Sequence, residues 1–133
     1  MLIDVTVVLF SPRSGCPCRE LAMLRAPGRP AFVFPATSLK GRETTSEAAS
    51  RLIQSLGSEV PASLWKFAGA VHTGSTAVLT AIVSADTLAL LASKKVYTGS
   101  AEMMMCDAWV NPQNYQPDFL SILAMARAAH VQD

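Results

Sequence analysis

The segment from residue 43 to residue 57, ETTSEAASRLIQSLG, constrains the fold more than any other part of the chain. Its apolar residues recur at the three- and four-residue spacing that places side chains on one face of a helix; they are Ala48, Ala49, Leu52, Ile53 and Leu56. Glutamate, threonine and serine at its start are typical of a helix N-terminus, and Gly57 follows the last apolar position. The segment therefore predicts a capped helix of about four turns with one face buried.

Strand patterns surround this helix on both sides. Runs rich in apolar and β-branched residues predict strands, over residues 2–10, 19–25, 31–34, 64–72, 76–84 and 102–110. The first two strands are expected to form a hairpin, and Thr73-Gly74-Ser75 is a typical hairpin turn before the strand at 76–84. Residues 35–42 lack such a pattern and predict an irregular loop.

Two more helices follow along the chain. Residues 86–94 predict a short helix that Asp86 caps. Residues 115–130 predict a terminal helix, with an apolar side formed by Phe119, Ile122, Leu123 and Met125. The order of elements is then β-β-β-α-β-β-α-β-α. It predicts an α/β fold in which helices cover both faces of a mixed sheet.

The composition limits the class of protein. The chain of 133 residues is long enough for one domain, 1–133, with a core of its own. Hydrophobic residues make up 50% and charged residues 16%, which indicates either a core that is large for the length or apolar surface covered by a second copy or another protein. A net charge of +1 excludes broad binding to nucleic acid, because such binding needs a concentrated basic patch.

No segment is predicted to enter a membrane or a secretion pathway. Polar side chains interrupt the longest apolar run, residues 76–92, before it reaches the length of a membrane span; they are Thr80, Ser84, Asp86 and Thr87. Residues 1–10 lack the basic start and the cleavage site of a signal peptide, and they predict a strand instead. We therefore expect a protein of the cytoplasm or of an organelle interior that is not secreted.

The three cysteines do not form a disulfide framework. Cys16-Pro17-Cys18 is either a pair of reduced loop thiols or half of a metal or redox site, and no second Cys or His pair lies near it in the sequence. Cys106 follows Met103-Met104-Met105 within the predicted strand at 102–110, where we expect it to be buried.

Residues 34–60, FPATSLKGRETTSEAASRLIQSLGSEV, resemble the signature segment of the Nudix hydrolase family, often written FPGGKVEPGETPEEAALRELKEELGLEV. The family motif is G-x5-E-x7-R-E-U-x-E-E-x-G-U, where U is apolar. From Phe34 to Arg51 the match has no gap, and Glu43 and Arg51 fall on the motif glutamate and arginine. The resemblance implies the Nudix-type α/β/α sandwich with a mixed sheet.

The departures from the motif concern its metal ligands. Thr37 replaces the first glycine, and Gly57 comes one residue early. The glutamates of the motif are replaced by Leu52, Ser55 and Leu56. The family uses those glutamates to hold Mg²⁺ while it cleaves nucleoside diphosphates linked to a variable group, and Mg²⁺ requires hard oxygen ligands. The resemblance therefore implies a degenerate motif with no expected cofactor, and we expect at least one of the two leucines to face the core.

Three functions remain open at this point. The first is a catalytically degenerate Nudix-like domain that binds a nucleotide-type ligand or a protein partner; its ligand-binding residues, as the resemblance implies them, are Arg25, Phe34, Glu43 and Arg51. The second is an active Mg²⁺-dependent hydrolase that uses Glu43 and Glu47, or acids elsewhere in the chain: Glu20, Glu59, Glu102 or Asp107. The third is a structural subunit or a homodimer, with the terminal helix or residues 103–109 at the contact.

Simpler roles compete with each of these assignments. Glu43 and Arg51 have a bracing role in the loop of the motif, and Glu47 and Arg51 have the i, i+4 spacing of a surface ion pair. Arg25 is also consistent with a solvated strand end. The aromatic residues are either core or a base-stacking surface; they are Trp65, Phe67, Trp109 and Tyr115. His72 and His130 have no nucleophile or acid at an informative spacing.

Overall fold

The computed structural model describes residues 3–12, 19–25, 28, 30–56, 65–84, 86–88 and 95–131. Its strands are β1 (Asp4–Pro12), β2 (Arg19–Arg25), β3 (Phe32–Val33), β4 (Ala36–Ser38), β5 (Trp65–Thr73), β6 (Thr76–Val83) and β7 (Val96–Ser100). Its long helices are α1 (Thr45–Leu56), α2 (Ala101–Val110) and α3 (Phe119–Val131). Residues 86–88 are helical, and Pro112–Asn114 form one 3₁₀ turn.

The strands form one mixed sheet with β1 at its centre. The order is β3-β2-β1-β6-β5, with β4 paired to β1 and β7 paired to β2. β1 and β6 are parallel from Asp4↔Thr76 to Phe10↔Ile82, and the other pairs are antiparallel. A central strand is covered on both faces, which explains the unbroken apolar run at the middle of β1; its buried residues include Val5, Val7, Val8, Leu9 and Phe10.

Alternate residues of β1 belong to two separate cores. Val5, Val7 and Leu9 pack against α1. Val8 and Phe10 pack in a second core against α2 and α3. Because successive side chains of a strand point to opposite faces, the helices lie on both sides of the sheet. The predicted α/β/α sandwich with a mixed sheet is therefore confirmed.

Most of the predicted elements occupy the expected residues. β2 has the predicted bounds, and it pairs with β1 as the predicted hairpin. The turn between β5 and β6 has Gly74 at φ +58°, a conformation that favours glycine. The terminal helix buries three of its four predicted apolar residues, Phe119, Ile122 and Leu123.

The prediction of a strand at 102–110 is wrong. These residues belong to α2, which begins at Ala101. The last strand, β7, ends at Ser100, directly before the helix. The Ser100 hydroxyl accepts a hydrogen bond from the Met103 N–H at 3.3 Å, which caps the helix. Ala101, Met104 and Ala108 are buried at helical spacing. Consequently Cys106 is exposed on a helix, where a buried strand position had been predicted.

Two smaller predictions also need correction. The loop predicted at 35–42 contains β4, which pairs with the first residues of β1 from Asp4↔Ser38 to Thr6↔Ala36. The helical residues 86–88 are capped by Ser84, whose hydroxyl accepts from the Thr87 N–H at 3.1 Å; Asp86 lies inside the first turn. Cys16, Cys18 and residues 89–94 of that predicted helix lie outside the described residues.

Candidate functional site

A single arginine fixes the segment that precedes α1. Arg51 Nε donates to Glu43 Oε2 at 3.0 Å, and Arg51 Nη2 donates to Glu43 Oε1 at 2.9 Å. This bidentate geometry is the strong form of a carboxylate–guanidinium pair. The hydrogen bond from Arg51 lowers the pKa of Glu43, and the same bond raises the pKa of Arg51. Both side chains therefore carry their charges at neutral pH.

The same guanidinium also reaches β4. Arg51 Nη1 donates to Thr37 Oγ1 at 3.1 Å, and Nη2 donates to the Ser38 carbonyl at 2.9 Å. Glu43 Oε1 accepts from the Lys40 N–H at 3.2 Å. We call this set, Thr37, Ser38, Lys40, Glu43 and Arg51, the Arg51 brace. It joins helix, loop and strand, which is the bracing role considered from the sequence.

Glu47 bonds to Thr44 at the start of α1, where an ion pair with Arg51 had been considered from the sequence. Its N–H donates to Thr44 Oγ1, and its Oε1 accepts from the Thr44 N–H, both at 3.1 Å. This reciprocal arrangement is a capping box. Arg51 is directed to Glu43 and β4, so the predicted Glu47–Arg51 pair is wrong.

The helix positions that carry glutamates in the Nudix motif do not fit a metal ion. Leu52 is 8% exposed and belongs to the core beneath α1, which confirms that one of the two leucines faces inward. Leu56 packs partly buried against the same core. Ser55 is exposed, and its hydroxyl donates to the Leu52 carbonyl at 2.6 Å. One neutral hydroxyl cannot replace several carboxylates as a Mg²⁺ site.

A cleft of about 540 Å³ opens on the sheet face opposite α1, between the starts of β1 and β6 and the first turns of α3. A volume of this size is typical of small-molecule sites, about 300–1,000 Å³. Its lining combines polar and apolar side chains: Asp4, Thr6, Ala36, Thr76, Val78, Gln116, Asp118, Ser121, Ile122 and Met125.

Gln116 holds one wall of the cleft in place. Its Oε1 accepts from the Phe34 N–H at 2.6 Å, and its Nε2 donates to Asp118 Oδ1 at 2.7 Å. The Gln116 N–H donates to the Phe32 carbonyl at 3.1 Å. These three bonds attach the segment before α3 to the strand edge and fix the orientation of the amide.

Ser38 connects the cleft with the Arg51 brace. Its carbonyl accepts from Arg51, and its hydroxyl donates to Asp4 Oδ1 at 3.1 Å. Along β4, Thr37 faces the helix while Ala36 lines the cleft on the other face of the strand. The three residues of β4 therefore border both features.

Arg25 and Phe34 lie outside the lining of the cleft. The Arg25 guanidinium lies 5.2 Å from the centre of the Tyr97 ring, at the exposed end of β2. Phe34 is buried and stacks on Phe119, with 5.3 Å between the ring centres. The backbone N–H of Phe34 donates to Gln116, which lines the cleft.

The predicted base-stacking aromatics do not share one surface. Phe67 packs at the edge of the α1 core, whereas Tyr115 is buried in the core on the other face of the sheet. Trp109 is exposed on α2, and the Trp65 side chain is outside the described part of the chain. The three described side chains, Phe67, Trp109 and Tyr115, therefore have different surroundings, which sequence order alone does not reveal.

Tyr115 instead belongs to a smaller pocket of about 230 Å³, lined by Tyr97, Met103, Met104, Asp107 and Tyr115. Its hydroxyl donates to Asp107 Oδ2 at 2.9 Å, and Asn111 Nδ2 donates to the other carboxylate oxygen at 2.9 Å. Burial raises the pKa of Tyr115, and the hydrogen bond to Asp107 raises it further. The phenol is therefore neutral and acts as a structural donor.

Two of the remaining acids considered for a hydrolase lie beside Ser100. Glu102 accepts from the Ser100 hydroxyl at 3.3 Å, and Glu20 lies in β2 opposite Ser100. Glu59 is outside the described residues. Within the described ranges, no group of three or more His, Cys, Asp or Glu side chains is placed to hold a metal ion.

The cleft was not predicted from the sequence. Its signal was the polar residue at alternate positions in otherwise apolar strand starts, Asp4 and Thr6 in β1 and Thr76 in β6. Of the predicted site residues, Glu43 and Arg51 come together, but neither lines the cleft. A search of the described helices finds none with the length and hydropathy to cross a membrane.

Solved structures similar to this chain share its fold at low sequence identity. No family model and no curated protein matches the sequence. A mutT/nudix family protein from Listeria innocua has a TM-score of 0.64 at 14% identity, covering 97% of this chain and 92% of its own. The Ap4A hydrolase of C. elegans has a TM-score of 0.65 at 13% identity, covering 96% and 98%.

NrtR of Shewanella oneidensis has a TM-score of 0.67 at 17% identity, over 99% of this chain and 64% of the NrtR chain. This chain thus spans less than two thirds of that protein. The NUDIX domain of NrtR complexed with ADP ribose has a TM-score of 0.64 at 15% identity, covering 96% and 87%. The element order, the helices on both sheet faces and these similarities together show that the chain has a Nudix fold.

Proposed function

We propose that this protein is a Nudix-fold binding domain that takes a nucleotide-type ligand and does not hydrolyse it. The observation that carries this proposal is the contrast along α1. Arg51 and the segment before the helix keep the complete Arg51 brace, whereas the glutamate positions that follow Arg51 hold the buried Leu52 and a serine bonded to its own helix. The scaffold of the site is retained without its Mg²⁺ ligands.

The cleft supports a binding role. Its volume of about 540 Å³ and its mixed lining, with an apolar floor and several hydroxyl, amide and carboxylate groups, are those of a small-molecule site. The bonds of Gln116 and Ser38 hold its walls before any ligand arrives. Such preorganisation reduces the entropy lost on binding.

Similar structures favour the nucleotide class of ligand. The NUDIX domain of Shewanella oneidensis NrtR is complexed with ADP ribose, and the C. elegans relative is named for Ap4A hydrolysis. In this chain we place the ligand in the cleft, with Phe34 acting through its bond to Gln116. Glu43 and Arg51 support β4 from behind, and Arg25 is a further candidate contact at the end of β2.

Binding and hydrolysis are separated by measuring both on one sample. We expect thermal stabilisation by members of a panel of nucleosides, nucleotides and ADP ribose, with no release of phosphate or monophosphate in Mg²⁺. Asp118→Asn should weaken that stabilisation, while Asp86→Asn, an exposed change outside the cleft, should not. Mg²⁺-dependent release that is lost in Glu47→Gln would instead establish the hydrolase.

A second candidate function, self-association, rests on α2. Met103, Trp109 and Val110 are 73%, 76% and 77% exposed on this helix. Large apolar side chains exposed on one short helix are typical of protein contacts. We propose that two copies of the chain meet there as a homodimer. Light scattering should give twice the monomer mass for the wild type and the monomer mass for Trp109→Lys; a monomeric wild type at micromolar concentration would contradict it.

A further inference from the structure

The cleft carries negative charge without a balancing cation. Asp4 and Asp118 stand among its lining residues, and none of the described lining residues is Lys, Arg or His. Asp4 Oδ1 accepts from Ser38, and Asp118 Oδ1 accepts from Gln116. The second oxygen of each carboxylate has no hydrogen bond to another described residue, so both remain available as acceptors.

Four of the five N–H groups of the guanidinium that is connected to the cleft through Ser38 are already engaged. Arg51 uses Nε and Nη2 on Glu43, Nη1 on Thr37, and Nη2 again on the Ser38 carbonyl. Its charge is already balanced by Glu43 at 2.9 Å. A phosphate placed in the cleft would therefore face two carboxylates. Like charges near a protein surface repel one another more strongly than they do in bulk water.

A hydroxyl that opens into the cleft gives a second, independent indication of a ligand. The Thr6 residue is 6% exposed, lines the cleft, and has no side-chain hydrogen bond to any described residue. Its hydroxyl is therefore free to bond a ligand in the cleft. Val78 and Ile122, both buried, form the apolar floor beside it. The cleft thus offers acceptors at its rim, one hydroxyl inside, and an apolar surface for a ring.

We infer that the cleft binds the nucleoside part of a ligand, with Asp4 and Asp118 accepting from ribose hydroxyls, and that it prefers a nucleoside to its phosphorylated forms. Carboxylates are well suited to ribose hydroxyls, as they are in dinucleotide-binding sites. This inference rests on the proposed function and narrows it. It also explains why a cleft large enough for a nucleotide occurs in a protein whose motif lacks metal ligands. A nucleoside carries no phosphate charge that a metal ion would have to neutralise.

Calorimetry with matched pairs tests the inference. Each of the four common ribonucleosides is titrated beside its 5′-monophosphate and 5′-diphosphate, in chelator, at low and at physiological ionic strength. We expect at least one nucleoside to bind about tenfold more tightly than its monophosphate at low ionic strength, with a smaller difference in salt. The 2′-deoxynucleoside should bind more weakly than the ribonucleoside.

Variants of the cleft residues test whether the difference in affinity between nucleoside and monophosphate arises in the cleft. Asp118→Asn, at an exposed position, should bring the affinities for nucleoside and monophosphate closer together, and Asp4→Asn should do the same from the opposite wall; Asp86→Asn should leave them unchanged. A phosphorylated form that binds more tightly than its nucleoside overturns this inference but leaves the proposed function standing. A panel with no binding at all overturns both.

Discussion

On the α1 face of the sheet Glu43 and Arg51 satisfy one another, whereas on the α3 face Asp4 and Asp118 each keep one oxygen that bonds no other described residue, beside an open cleft. The Arg51 brace is a closed set of bonds between Glu43, Arg51 and β4. In the cleft, the Thr6 hydroxyl bonds no described residue, and Asp4 and Asp118 each use one oxygen. Under the proposed function, the first face maintains the scaffold and the second binds the ligand.

The largest expected effect concerns the core beneath α1. Leu52→Glu should destabilise the protein by about 3 kcal/mol or more, because it places an unpaired carboxylate among buried side chains. Ser55→Glu changes an exposed neighbour on the same helix and should alter stability by only about 0.5 kcal/mol. Urea unfolding compares the two. Equal losses of unfolding free energy in the two variants would contradict the assignment of Leu52 to the core and of Ser55 to the surface.

The Arg51 brace predicts a pH dependence of the stability of the fold. The pKa of Glu43 is lowered in the folded protein by its bond to Arg51, so the pair stabilises the fold above the ordinary value of 4.5. This stabilisation is lost as the pH falls through the lower pKa of folded Glu43. Glu43→Gln should therefore be less stable than wild type at pH 7, and the difference should shrink below pH 4.5.

Denaturant unfolding at several pH values should show a converging pair of curves for Glu43→Gln and wild type. A difference that stays constant from neutral to acid pH would mean that the ionised Glu43–Arg51 pair does not stabilise the loop.

The α1 region was predictable because its signals are local. The capping residues, the helical spacing and the separation of Glu43 from Arg51 all lie within one short segment. The methionine-rich residues of α2 fit either a strand or a helix, and the Ser100 cap decided between them. The cleft depends on topology: the parallel pairing of β1 with β6 places Asp4 beside Thr76, and Gln116 reaches Phe34 across 82 residues.

The hydrogen bond from Tyr115 to Asp107 also joins two groups that satisfy one another, here in the core beside α2. Tyr115→Phe should cost about 1 kcal/mol, because it removes the donor to Asp107 while the ring keeps its packing. The measurement is thermal or urea unfolding at pH 7. Asn111→Ala, which removes the other donor to the same carboxylate, is the matched variant. No loss in either variant would show that this bonded cluster contributes nothing to the fold.

The smallest expected change in stability lies in the cleft and has the opposite sign. Thr6→Val keeps the shape and removes the unpaired hydroxyl, so the protein should be equally stable or more stable by about 0.5 kcal/mol. Ligand affinity should fall at the same time, as is common where a site sacrifices stability for function. A destabilised Thr6→Val protein would show that the hydroxyl has a structural partner.

The central claim is that the protein binds its ligand without Mg²⁺ chemistry, and one titration tests it most directly. Mg²⁺ is titrated into the protein by calorimetry, alone and with ADP ribose present, and the final mixture is assayed for released AMP. We expect no Mg²⁺ binding tighter than about millimolar, because α1 offers too few oxygen ligands, and no released AMP. Micromolar Mg²⁺ binding that disappears in Glu43→Gln or Glu47→Gln, accompanied by AMP release, would contradict the account.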